Sequence, residues 1–134
     1  MNSRVISIIG LLSAVGLFSG CSSYMHGYTS QRAMGKYLLV DKTTESFGYK
    51  RITYIEGFRP PMLGFIENKG LPDFIYEFKN EQGREGVNLY YVGRNVAYVF
   101  VTRDWRPDSM YLKEERALTD YEKATYRHLK ESPQ

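Results

Sequence analysis

Apolar and polar residues alternate through the middle of the chain. Phe74, Tyr76 and Phe78 alternate with Ile75, Glu77 and Lys79, and Val87, Leu89 and Tyr91 alternate with Asn88, Tyr90 and Val92. A period of two puts successive side chains on opposite faces of a strand. In the next segment Val96, Tyr98 and Phe100 alternate with Ala97, Val99 and Val101; because both sets are apolar, this strand is expected to be central and covered on each face. The polar loop Asn80 to Gly86 and the tight turn Gly93-Arg94-Asn95 join the three segments into an antiparallel meander. Tyr49 to Glu56 also alternates, with Ile52 and Tyr54 against Thr53 and Ile55, and is expected as a strand ended by Gly57 and Pro60-Pro61.

Helical signals flank the meander. Pro61 suits a first helical position, and Met62, Leu63, Phe65 and Ile66 follow as an apolar stripe up to Gly70-Leu71-Pro72. There Gly accepts the left-handed conformation, Leu folds back on the helix and Pro forbids continuation, so a helix of about two turns is predicted. Met110 to Arg116 carries a weaker strand pattern. Thr119-Asp120-Tyr121-Glu122 is a capping box, which predicts a C-terminal helix from Asp120 to Lys130 docked by the narrow stripe Tyr121, Ala124 and Leu129, with Glu131 to Gln134 disordered. Near the front of the domain two readings stand. Ser30 can cap a short helix with Met34, Tyr37 and Leu38 on one face, or Tyr37 to Val40 can form a first strand. The fold class is therefore α+β: a small antiparallel sheet, made of a three-stranded meander and one or two further strands, packed by a short helix and followed by a C-terminal helix.

The first twenty-one residues have a different character. Arg4 precedes the uncharged run Val5 to Phe18, and Phe18-Ser19-Gly20 leads into Cys21, the one cysteine of the chain. A basic n-region, a short apolar h-region and small residues before cysteine make a secretory signal with a lipobox. The run is shorter than the ~20 residues of a membrane-spanning helix. Residues 1–20 are thus expected as signal peptide, Cys21 as the acylated N-terminus, 21–30 as a tether rich in small polar residues, and 31–131 as one periplasmic domain. Ser22, rather than Asp, follows Cys21, which resembles the sorting pattern of outer-membrane lipoproteins. The acyl chains would hold the protein to the membrane, each buried CH₂ contributing ~0.8 kcal/mol.

Composition narrows the function. Removing Arg4 with the signal leaves 17 basic and 15 acidic side chains, too even a balance for a nucleic-acid footprint. With Cys21 acylated no disulfide can form within the chain. Two histidines, His26 in the tether and His128 near the C-terminus, and no free thiol leave no triad to assemble, no cluster with zinc-ligand spacing exists, and phosphate-cradling glycine loops are absent. Glu114-Glu115 do not make a glycosidase pair, since neighbours on a strand point to opposite faces. No cofactor, metal or catalysis is expected. Twelve tyrosines, seven phenylalanines and one tryptophan are instead more aromatic surface than so small a domain buries. An exposed aromatic and basic patch near Tyr90, Arg94 and Trp105 is expected to bind a protein partner.

The order of helix, Gly70-Leu71-Pro72 and three antiparallel strands resembles, over Phe65 to Phe100, the SmpA/OmlA family of small outer-membrane lipoproteins, the BamE-like group. That resemblance implies an α+β domain bracing an envelope assembly through protein contacts. The expected function is a non-catalytic accessory component at the periplasmic face of the outer membrane. The alternative is a periplasmic ligand-binding or inhibitor module: Ser46-Phe47-Gly48-Tyr49 is similar to the inhibitory loop of lysozyme-inhibitor lipoproteins, and a closed barrel with Ser46 on a protruding loop would favour it.

Overall fold

Five strands pair antiparallel, each with its neighbour in sequence, in the order β1-β2-β3-β4-β5. They are β1 (Tyr37–Leu39), β2 (Phe74–Lys79), β3 (Glu85–Tyr91), β4 (Val96–Thr102) and β5 (Met110–Arg116). Among the described residues three α-helices accompany them: α1 (Phe47–Thr53), α2 (Pro60–Lys69) and α3 (Asp120–Glu131). This computed structural model describes residues 32–53 and 60–132; the signal, Cys21 and the tether lie outside the described residues. The α+β class, the meander and the C-terminal helix are as the sequence predicts. The meander extends by one strand on each side, and both of those strands match segments with strand-like patterns, Tyr37 to Val40 and Met110 to Arg116.

Alternation sorts the strand residues onto two faces, and each face has its own core. On one, Ile75, Val87, Leu89, Tyr98 and Phe100 are buried with Ile52 of α1 and with Met62 and Ile66 of α2. Phe65 of α2 packs edge-on against Tyr98 and Phe100, with ring centroids 4.8 and 5.0 Å away. On the other, Phe74, Tyr90 and Ala97 lie in one row across β2, β3 and β4 beneath Leu118 and Leu129. Helices cover both faces, so β4 is buried on each side, as its doubly apolar pattern requires.

The expected strand over Tyr49 to Glu56 is a correction. Phe47–Thr53 is helical, and residues 54–56 lie outside the described residues. The Ser46 hydroxyl accepts from the Tyr49 amide at 3.2 Å, which caps the helix start. Burial then follows Gly48, Arg51 and Ile52, a spacing of three and four rather than two. Hydropathy missed this face because its largest buried side chain is an arginine. Arg51 donates from Nε to Glu77 Oε2 at 2.9 Å and from Nη2 to Glu77 Oε1 at 2.8 Å, a bidentate pair with both side chains sealed from solvent.

The stop after α2 holds with one change. Gly70 has φ +89° and its amide donates to Ile66 O at 2.7 Å. Leu71 does not fold back and is 41% exposed, whereas Pro72 is fully buried. Two side chains from the meander finish the job: the Tyr91 hydroxyl donates to Gly70 O at 2.7 Å and Arg94 donates to Lys69 O at 2.6 Å. Both satisfy carbonyls that a helix end leaves without an internal partner.

The capping box of α3 is present as predicted. Glu122 N donates to Thr119 Oγ1 at 3.1 Å and Thr119 N to Glu122 Oε1 at 2.9 Å. The inward stripe is rotated from the expected one. Tyr121 is 68% exposed and Ala124 is exposed, while Glu122 and Leu129 are buried and Tyr126 half-buried. The reason is Arg116, whose guanidinium forks onto Glu122 at 2.7 and 2.8 Å and makes a buried carboxylate tolerable. Glu131 closes α3 rather than fraying, and the Ser132 amide donates to His128 O.

Two predictions follow from these ion pairs. Glu77→Leu leaves the Arg51 charge buried and should destabilise by about 3–5 kcal/mol; in urea unfolding the midpoint falls at unchanged slope, and a double-mutant cycle with Arg51→Met shows strong coupling. Burial pushes the Glu122 carboxyl up, but the Arg116 guanidinium and the Thr119 amide outweigh it and hold the group at about 2 rather than 4.5. A depressed folded-state value adds stability above pH ~4.5 that is lost as pH falls towards ~2. Acid titration of stability should therefore be shallower in Glu122→Gln than in the parent.

Candidate functional site

The three residues expected to share a partner-binding patch are not brought together. Tyr90 is fully buried, stacked on Phe74 with ring centroids 4.2 Å apart, and burial drives its phenol well above the ordinary value. Arg94 sits in the β3–β4 turn, with its guanidinium 4.8 Å from the Tyr91 ring centre and bonded to the end of α2. Trp105 follows the far end of β4, whose seven residues at ~3.3 Å each set the two some 20 Å apart. Trp105 is 87% exposed and Arg94 is exposed as well. Cys21 and His26 lie outside the described residues; His128 is exposed on α3.

An aromatic face is found elsewhere, on the α3 side of the sheet. α3 covers the row Phe74-Tyr90-Ala97, and Tyr126 stacks on Phe74 at 5.6 Å. Beyond the helix a run of rings continues along β1 and β2. Tyr121 meets Tyr37 edge-on at 6.2 Å, Tyr37 stacks on Tyr76 at 4.3 Å, and Tyr76 lies parallel to Phe78 at 6.0 Å. The Phe78 ring lies over Gly86, where a Cβ would collide with it; only glycine lets the ring lie flat there. Val99 and Tyr111 extend the same face across β4 and β5, half-buried, and the Arg103 guanidinium stacks on Tyr111 at 4.0 Å. Asn88, in the row of Tyr76 and Val99, donates to the Tyr90 hydroxyl at 2.9 Å. Its enclosed Oδ1 has no hydrogen-bond partner among the described residues, so one acceptor lies unused beneath the rings.

Chemically this surface is suited to binding. Tyrosine rings offer rigid contact area at low entropic cost, with hydroxyls for hydrogen bonding. Among the described residues no three His, Cys, Asp or Glu side chains are grouped to hold a metal ion, and no helix is long and apolar enough to cross a membrane. Glu114 and Glu115 are both exposed and, paired opposite Val99 and Tyr98, face opposite sides of the sheet.

The free sheet edge is guarded. β5 carries Lys113, Glu114 and Glu115, and its register slips between Val99 and Phe100, which pair with Glu114 and Leu112 and leave Lys113 extra. Charge and a bulge both oppose strand addition. Strand addition at this edge is therefore disfavoured.

Ser46 does not protrude. It is buried at the start of α1, donating to Leu39 O at 2.6 Å and accepting from Asp41 N at 2.8 Å, and the sheet is open. The two features that would have favoured an inhibitor are thus both contradicted.

Sequence reading missed the face because it placed Tyr121 in the docking stripe. A usable signal was present: Glu122 at the third position of a capping box must turn inward to reach its cap, and 122, 126 and 129 then share a helix side. No protein family, curated protein or solved structure compared with this chain matches it.

Proposed function

We propose that this chain is a non-catalytic lipoprotein of the outer membrane, held at its periplasmic face by acyl chains on Cys21. Its α+β domain serves as an accessory component that docks envelope proteins. The observation carrying the binding role is the aromatic face running from Tyr121 through Tyr37 and Tyr76 to Phe78. Tyr37 and Tyr76 edge the second core and Phe78 is half-buried beside them, while Tyr121 is 68% exposed; aromatic side chains left at a surface in this way are the usual energetic centres of interfaces. The anchor is supported by the signal and lipobox pattern ending at Cys21. The resemblance to the SmpA/OmlA group points the same way.

The anchor is tested by intact mass and membrane fractionation of the full chain beside Cys21→Ala. The expected outcome is a mass increment of lipid size and membrane association, both lost in the variant; an unacylated, soluble parent protein sinks the reading. For the docking role, crosslinking in membranes followed by recovery of the complex compares the parent with Tyr121→Ala and Tyr76→Ala. Each truncation of a contributing ring should cost about 1–2 kcal/mol of affinity, roughly tenfold or more. Tyr121→Ala should leave the unfolding midpoint unchanged, since that ring is largely in solvent. Unaltered recovery with both variants would move the partner surface off this face.

A further inference from the structure

We propose that the β4–β5 hairpin tip is the part of the domain that rests on the lipid surface, with Trp105 as its interfacial anchor. The proposal rests on the lipoprotein reading above and specifies how the domain sits on its membrane.

The exposure of Trp105 is built in. Asp104 accepts from the Arg106 amide at 2.8 Å and pairs with its guanidinium at 3.0 Å. The Ser109 hydroxyl donates to Arg106 O at 2.6 Å and accepts from Asp104 N at 3.3 Å, and Arg103 N donates to Ser109 O. These bonds close the loop on both sides of residue 105 and hold the indole outward, 87% exposed. Leaving so large an apolar ring in water is unfavourable unless something covers it.

The surroundings favour lipid over protein as that cover. A protein hot spot sits in a well-packed pocket from which water is fully excluded. Trp105 has charged neighbours instead: Arg103, Arg106 and Asp108 are exposed, and Asp104 is partly so. A headgroup layer accepts an indole and charges together, the ring at the level of the ester groups and the charges in the wet zone. The two cations and two anions of the tip cancel, so seating it needs no anionic lipid.

Tether length and entry point make the contact reachable. Ten residues, 22–31, separate Cys21 from Arg32, a reach of at most about 35 Å when fully extended. The chain enters the described domain beside Glu77, where Met34 forms a bridge and the Gly35 amide donates to Glu77 O. Glu77 pairs with Val87 and Val87 with Phe100, from which β4 runs on to the tip. Entry point and tip therefore lie in the same half of the sheet, two to three strand spacings of ~4.8 Å apart across it, with the tip a few residues at ~3.3 Å each further along β4.

Trp105 is the sole tryptophan, so its emission reports this site alone. The test reconstitutes the processed full chain in phosphatidylcholine vesicles, with and without bromine high on the acyl chains. The expected result is emission at shorter wavelength than a water-exposed indole, quenched by the bromolipid, protected from aqueous iodide and unchanged when anionic lipid is added. Water-like emission, open to iodide and indifferent to bromine, overturns the proposal. So does iodide protection without bromine quenching, which would place the ring against protein. Intact mass of the same sample keeps the two readings apart: an acylated protein with a water-like Trp105 leaves the anchor standing and removes only this inference, whereas a protein without acyl chains removes both.

Discussion

The buried pair between Arg51 and Glu77 is the constraint on which the layered arrangement depends. Seven residues make α1 too short to persist as an isolated helix, so its place must come from what it touches. Arg51 reaches across to β2 and meets Glu77 with two parallel hydrogen bonds, both side chains sealed from solvent. Desolvating the two charges is costly and their attraction recovers that cost only in good geometry. Helix and strand are consequently held in one relative position, where apolar contacts alone would tolerate several. The Glu77 carbonyl also receives the Gly35 amide, so the entering chain, the sheet and α1 converge at this one residue.

A second ion pair does the corresponding work on the opposite face. Glu122 is at once the capping-box residue of α3 and the partner of Arg116 at the end of β5. Turning Glu122 inward turns Tyr121, one position earlier, outward by about 100°. The surface aromatic run therefore follows from an electrostatic choice made one residue away. Leu129 and Tyr126 complete the helix seat over Phe74 and Tyr90. The rings beyond the helix, Tyr76 and Phe78, are left as a half-buried floor.

The proposed function assigns these surfaces different tasks. The α3-side face carries contiguous rings suited to a protein partner, and the β4–β5 tip carries one isolated indole amid charges. Under that proposal a short tether would restrict the domain to a thin layer above the bilayer. Within that layer a fixed orientation would determine which face meets incoming proteins.

How much of this was legible in the sequence varied by element. Segments whose neighbours are local came through: the strands of the meander by their period of two, the end of α2 by Gly70, and the start of α3 by Thr119 and Glu122. Each signal arises within a few residues, from backbone conformation or from side chains that reach their own turn. The helix at Phe47–Thr53, the stripe of α3 and the location of the aromatic face were not legible, because each was decided by a residue distant in sequence. Arg51 is acceptable in a core only because Glu77 stands twenty-six positions away. Arg94 looked like a free surface cation until the fold brought Lys69 O within 2.6 Å, and Tyr90 like a candidate contact until α3 lay over it. The sequence by itself determined the strands of the meander, the stops and caps, and the lipobox pattern, since those depend on local sterics and periodicity. Only the tertiary structure decided which charges are buried and which rings remain outside, because burying a charge depends on a partner that the fold alone supplies.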